Sequence, residues 1–151
     1  MKSKEFNYRD LQDHIEVMIG KFGLQNSVKF LGRLIDNTQV GSDKDARAKK
    51  IVELTIAKSI EVFNLEKDKF YQSDLTEYKD ARMSCYYIIH KYTQISYGRI
   101  SEIFQQKKRS VWYFQSKCEE MISIAKFYPK FMSLHTIVEN YIINHISNLN
   151  S

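Results

Sequence analysis

The stretch that decides the reading is Ala81–Lys117, ARMSCYYIIHKYTQISYGRISEIFQQKKRSVWYFQSK. Two apolar-periodic segments flank a short break, and the last segment opens on Lys107-Lys108-Arg109-Ser110. From Arg82 to Lys117 seven Lys/Arg (82, 91, 99, 107, 108, 109, 117) stand against one acid, Glu102, a balance of +6. The whole chain carries +5, so the remainder comes to −1. A cationic helical unit in an otherwise neutral protein points at a polyanion.

Working outward, apolar residues recur at helical spacing almost throughout, and no strand-period segment of useful length appears. Residues 8–20 place Leu11, Ile15, Met18 and Ile19 on one face, with Gly20 as the expected stop. Val28 to Ile35 is a shorter helical segment, and DNTQVGSDKD (36–45) is the clearest break. Ser42 or Asp43 is placed to cap a helix through Phe63. Residues 64–76 read as a loop with a short helix, followed by helices at about 77–92, 96–104, 108–124 and 131–146. Only 5 glycines and 1 proline in 151 residues suit long helices with short connections. The expected fold is therefore all-α, a helical bundle. Its expected division is an N-terminal helical segment, 1–41, and a main domain, 42–151.

Composition narrows the function classes. A hydrophobic fraction of 43% with 13% aromatics supports a packed core. No apolar run reaches the ~18 residues that span a bilayer, and the N-terminus lacks a signal-peptide core. A cytoplasmic protein with no membrane partner is expected. Cys85 and Cys118 sit inside helical patterns without metal-ligand spacing and read as reduced core residues. His14, His90, His135 and His145 are dispersed, with no HExxH or CxxC companion, so no metal or cofactor is expected. The adjacent carboxylates Glu119-Glu120 face different directions on a helix, and no catalytic constellation stands out. An enzyme is the least favoured class.

The order helix, short turn, second helix with basic residues at its start, over about 96–124, is a helix-turn-helix layout. The anchors Ala81-Arg82, Tyr86-Tyr87-Ile88, Thr93-x-x-Ser96, Ile100, Phe104 and Ser110-Val111 occur in a recognisable order. In these residues the chain resembles the C-terminal DNA-binding domain of the bacterial replication initiator DnaA, a Trp-repressor-like helix-turn-helix, over about 40 residues. The resemblance implies double-stranded DNA as partner, with phosphate contact at Arg82. It also implies base contacts from Lys107, Lys108, Arg109 and Ser110, at the start of the recognition helix. Lys91, Arg99 and Lys117 are the further cations expected on phosphates. Neutralising four to six phosphates would give a slope of log affinity against log salt of about −4 to −5.

The chain also departs from that family. Lys107-Lys108 stand where the family has Asp-His, so its preferred DNA sequence does not carry over. Arg99 and Ser101 replace a Glu and a Gly, and Tyr71–Glu77 lacks the basic loop whose arginine enters the minor groove. No GxxxxGK(S/T) phosphate loop occurs, so the resemblance is to the DNA-reading unit without the ATPase module.

The expected role is sequence-selective DNA binding in transcription regulation or replication control, in a bacterium, phage or mobile element. Two alternatives stand beside it. One is a structural or interaction protein, such as a phage component, that uses the helical scaffold for protein contacts. The other is a single-strand binder stacking bases on Trp112 and Tyr113. Phe114 shares a helix face with Val111 and Cys118 and is expected in the core. The N-terminal helices are the natural surface for a homodimer or a protein partner.

Overall fold

The computed structural model describes residues 5–39 and 44–148. These residues form seven α-helices and two short 3-10 turns, with no strand among them. The helices are α1 (Tyr8–Phe22), α2 (Leu24–Gln39), α3 (Lys44–Val62), α4 (Thr76–Thr93), α5 (Tyr97–Phe104), α6 (Lys108–Ser123) and α7 (Pro129–Ser147). The chain divides into two compact units, Met1–Asn37 and Thr38–Ser151, four residues before the division expected from the sequence.

In the first unit α1 starts on a capping box: the Asn7 side chain accepts from the Asp10 N–H while the Asp10 carboxylate accepts from the Asn7 N–H. The expected stop at Gly20 is not where α1 ends. Gly20 stays helical, and the chain turns at Gly23, whose φ of 82° is open to glycine at little cost. Likewise Asp36–Gln39, expected to begin the break, continue α2. The expected caps Ser42 and Asp43 lie outside the described residues.

The second unit is built around α4. Ala81, Met83, Cys85, Tyr86, Ile88 and Ile89 are all at most 2% exposed, and at 100° per residue they span about 220° of the helix, far more than one stripe. So wide an apolar arc needs several neighbours, and α3, α5, α6 and α7 cover it. Phe70 and Phe104 fill one end, with Tyr86 edge-on to Phe104 at 4.9 Å. Small polar residues let α3 approach closely. The buried Thr55 donates to the Ile51 carbonyl at 2.6 Å, and the Cys85 thiol donates to Ser59 Oγ at 3.1 Å. Burial pushes the thiols of Cys85 and Cys118 up to about 12, so both are held as inert thiols.

One buried group links α4 to α7. His135 is 1% exposed, its Nδ1 lies 2.7 Å from Ser84 Oγ, and its ring stacks on Phe131. Its Nε2 has no hydrogen-bond partner. Burial lowers its pKa, against an upward pull from Glu139 and a further downward push from Lys91. The folded state therefore takes up the imidazole proton later than the unfolded chain does as pH falls. Stability contributed by neutral His135 is complete above the ordinary imidazole value of about 6.5 and is lost as pH falls below it. In urea titrations this group should add a slope of up to about 1.4 kcal/mol per pH unit just below pH 6.5. His135→Phe should remove that component, and an unchanged slope would show that another group carries it.

Candidate nucleic-acid interface

The turn between α5 and α6 is three residues long, and each side of it has a local cause. Ser96 caps α5 by accepting from the Arg99 N–H at 3.2 Å. Gln105 takes a left-handed conformation, φ 55° and ψ 40°, which ends α5. The Gln106 side chain then donates to the Tyr71 carbonyl at 3.1 Å and ties the turn to the loop before α4. Ile100, Phe104, Val111 and Cys118, each 0% exposed, hold α5 and α6 onto α4.

The start of α6 lacks a side-chain cap, as do those of α4 and α7, but it alone gathers three consecutive cations. Lys107 occupies the N-cap with the extended backbone of a cap, yet its side chain makes no capping bond. Lys107, Lys108 and Arg109 are exposed, no acid lies in the first turn, and none of the three joins an ion pair among the described residues. The stem of Lys108 runs back over Gly98, where a side chain in place of the glycine hydrogen would touch it, bringing its charge toward the start of α5. Three cations at the positive end of a helix dipole oppose folding by about 0.3–1 kcal/mol each. That arrangement suits an anion held from outside.

The eight residues expected at the interface are not brought to one face. Arg82 is 6% exposed, and its guanidinium donates to the Phe70 carbonyl at 2.8 Å, so it primarily anchors the loop before α4. It does wall a cleft of about 220 Å³ with Ser110, Lys79, Gln106 and Tyr86, and that cleft opens beside the start of α6. Lys91 pairs with Glu139 on α7 at 3.1 Å. Burial pulls this ammonium down, but the Glu139 hydrogen bond and charge more than offset it and hold Lys91 above the ordinary lysine range. Arg99 lines a different cleft, of about 550 Å³, with Asp45, Lys49 and Glu53 on its rim. Lys117 acts on the half-buried Asp80 of α4: burial raises that carboxyl and the Lys117 charge pulls it back. Unpaired cation density is thus concentrated at Lys107–Arg109, with Ser110 behind it. Lys79 was overlooked in the sequence, although it sits three residues before Arg82 on the same helix.

Trp112 and Tyr113 are both 56% exposed and follow Arg109 by three and four residues on the outer face of α6. Phe114, expected in the core, is half-buried against it. The outer face turns acidic at Glu119 and Glu120. Among the described residues no group of three or more His, Cys, Asp or Glu is placed to hold a metal ion. No described helix is long and apolar enough to cross a membrane. No protein-family model, curated protein or solved structure matches the chain.

Two substitutions separate support from surface. Arg82→Met leaves the Phe70 carbonyl without its donor inside the fold, and should cost about 2 kcal/mol in denaturant unfolding. Lys107→Asp supplies the missing cap and relieves charge at the dipole end, and should stabilise by about 1 kcal/mol. A destabilised Lys107→Asp variant would mean that Lys107 has a structural role.

Proposed function

We propose that the protein binds double-stranded DNA sequence-selectively, with α5, the turn and α6 acting as a helix-turn-helix and the N-terminal half of α6 entering the major groove. The observation that carries this reading is the start of α6, where three exposed, unpaired cations stand at an uncapped helix N-terminus directly after a three-residue turn. Lysine and arginine at such a position can donate to guanine O6 and N7 or hold phosphates. Ser110 and the cleft shared with Arg82 and Lys79 lie beside them and suit a backbone phosphate. The acidic residues Glu119 and Glu120 sit at the far end of α6, which in this docking points out of the groove. The DnaA-like order of anchors agrees with this docking, and the role would be in transcription regulation or replication control.

The pairing of Lys91 and the burial of Arg82 reduce the number of phosphates neutralised. With Arg99 lining a different cleft and Lys117 facing Asp80, the three cations at the start of α6 give a slope of log affinity against log salt of about −3, shallower than the −4 to −5 expected from charge counting. Replacing Lys107, Lys108 and Arg109 together by Glu should abolish binding while unfolding stability stays within about 0.5 kcal/mol of wild type or improves. Wild-type protein that shows no salt-dependent retention on duplex DNA would end this reading and leave a protein-contact role for the same face. Selection from a random duplex pool tests base readout directly, since an unselective pool leaves charge alone.

A second reading draws on the exposure of Trp112 and Tyr113, a pair suited to stacking on unpaired bases. Competition between duplex and single-stranded oligonucleotides at matched salt decides between the two. Trp112 is the chain's one tryptophan, so quenching of its fluorescence reports contact at this helix.

A further inference from the structure

The N-terminal unit half-buries Ile15, Met18, Ile19 and Leu31 but leaves other large apolar side chains uncovered. Tyr8, Leu11 and Phe22 fall on one stripe of α1, and Leu24, Val28 and Leu34 on one stripe of α2. These six are between 51% and 84% exposed. Among the described side chains of this unit only Ser27 is fully buried. The two helices are joined through Gly23, and Phe22 meets Phe30 edge-on at 5.5 Å close to the joint. Helices of 15 and 16 residues are marginal in water unless an apolar face is packed.

We propose that this surface binds a second copy of the chain, the α1–α2 segments of two copies packing stripe to stripe as a four-helix core. Area is the first argument. Half-exposed leucine, valine and aromatic side chains each leave roughly 60–120 Å² in water, so the two stripes offer on the order of 600 Å² per copy. A specific interface of standard size buries about 800 Å² per partner, which the neighbouring rim supplies. Charge is the second argument. Asp10, Asp13 and Glu16 against Arg9 and Lys21 leave α1 at −1, while Lys29 and Arg33 against Asp36 leave α2 at +1. Two copies can therefore set α1 against the partner's α2 with opposite net charge, which a two-fold axis does twice. An anionic membrane surface fits less well, because interfacial helices carry basic polar faces and that of α1 is net acidic. This inference stands on the first unit alone and does not depend on DNA binding.

Sedimentation equilibrium of the full chain tests it. At about 100 μM, above the micromolar range open to interfaces of this size, the wild type should weigh twice its 17.9 kDa chain mass. Leu11→Asp and Leu34→Asp, on the stripes, should raise the dissociation constant by about thirtyfold or more. Val17→Asp makes a comparable change about 140° away around α1, where Val17 is also exposed, and should leave the dimer intact. Leu11→Ala, a milder change, should weaken the dimer by about tenfold and covers the case in which Leu11→Asp misfolds. A monomeric wild type overturns the proposal, whether or not it binds vesicles of anionic lipid. So do stripe variants that stay dimeric, or a Val17→Asp variant that dissociates as readily as Leu11→Asp.

Discussion

The second unit depends on the enclosure of α4. A helix with Ala81, Met83, Cys85, Tyr86, Ile88 and Ile89 spread over about 220° of its circumference leaves only the sector around Asp80 and Lys91 fit for water. Four helices must cover it, and each needs only one apolar stripe to do so. At about 1.5–3 kcal/mol for each large apolar side chain fully buried, α4 alone contributes a large share of the gross hydrophobic stabilisation. The same enclosure explains the small polar residues at the α3–α4 and α4–α7 contacts. Thr55, Ser59 and Ser84 allow close approach, and their hydroxyls meet a carbonyl, a thiol and an imidazole.

Because α4 is central, the placement of α5 and α6 is rigid. Their inward faces are anchored by Ile100, Phe104, Val111 and Cys118, while the turn between them is tied by Gln106 to Tyr71. Arg82 secures the same loop from α4 through the Phe70 carbonyl. A buried arginine costs desolvation unless its donors are engaged, and the loop carbonyl together with the open cleft beside Ser110 meets part of that need. One side chain thus serves the fold at one end and borders the candidate interface at the other.

Much of this was legible in the residues. Spacing located all seven helices, because apolar residues recur at helical intervals in each, and Ser96 was identifiable as a cap because its hydroxyl precedes an apolar run. Helix ends were harder. Gly20 and Gly23 look alike in sequence, and only the second adopts a positive φ. The charge count could not show how the cations are arranged, for a physical reason: a cation has no direction in a sequence. Arg82 lies inside an almost unbroken apolar run, Ala81 to Ile89, and that run was the available sign of burial. Nothing local to Lys91 could reveal Glu139, which is 48 residues away and reaches it only when α7 packs on α4.

Where local rules are broken without compensation inside the fold, the compensation has to come from outside. Both units contain such a place, and the two differ in kind. The start of α6 is electrostatically wrong for a free helix: a lysine holds the cap position and two more cations crowd the dipole's positive end. α1 shows that the chain can make a sound helix start, with the Asn7 and Asp10 side chains each accepting from the other's backbone N–H. Its defect lies instead in the uncovered stripe, a hydrophobic deficit that salt screening does not relieve. On the two readings proposed above the deficits would take different partners, a polyanion at α6 and an apolar surface at α1 and α2. They should also respond oppositely to salt, since counterions weaken the first association while salting-out anions strengthen the second. A protein that held DNA through the first and its own copy through the second would present two reading heads, and two-fold symmetry would then favour a palindromic target.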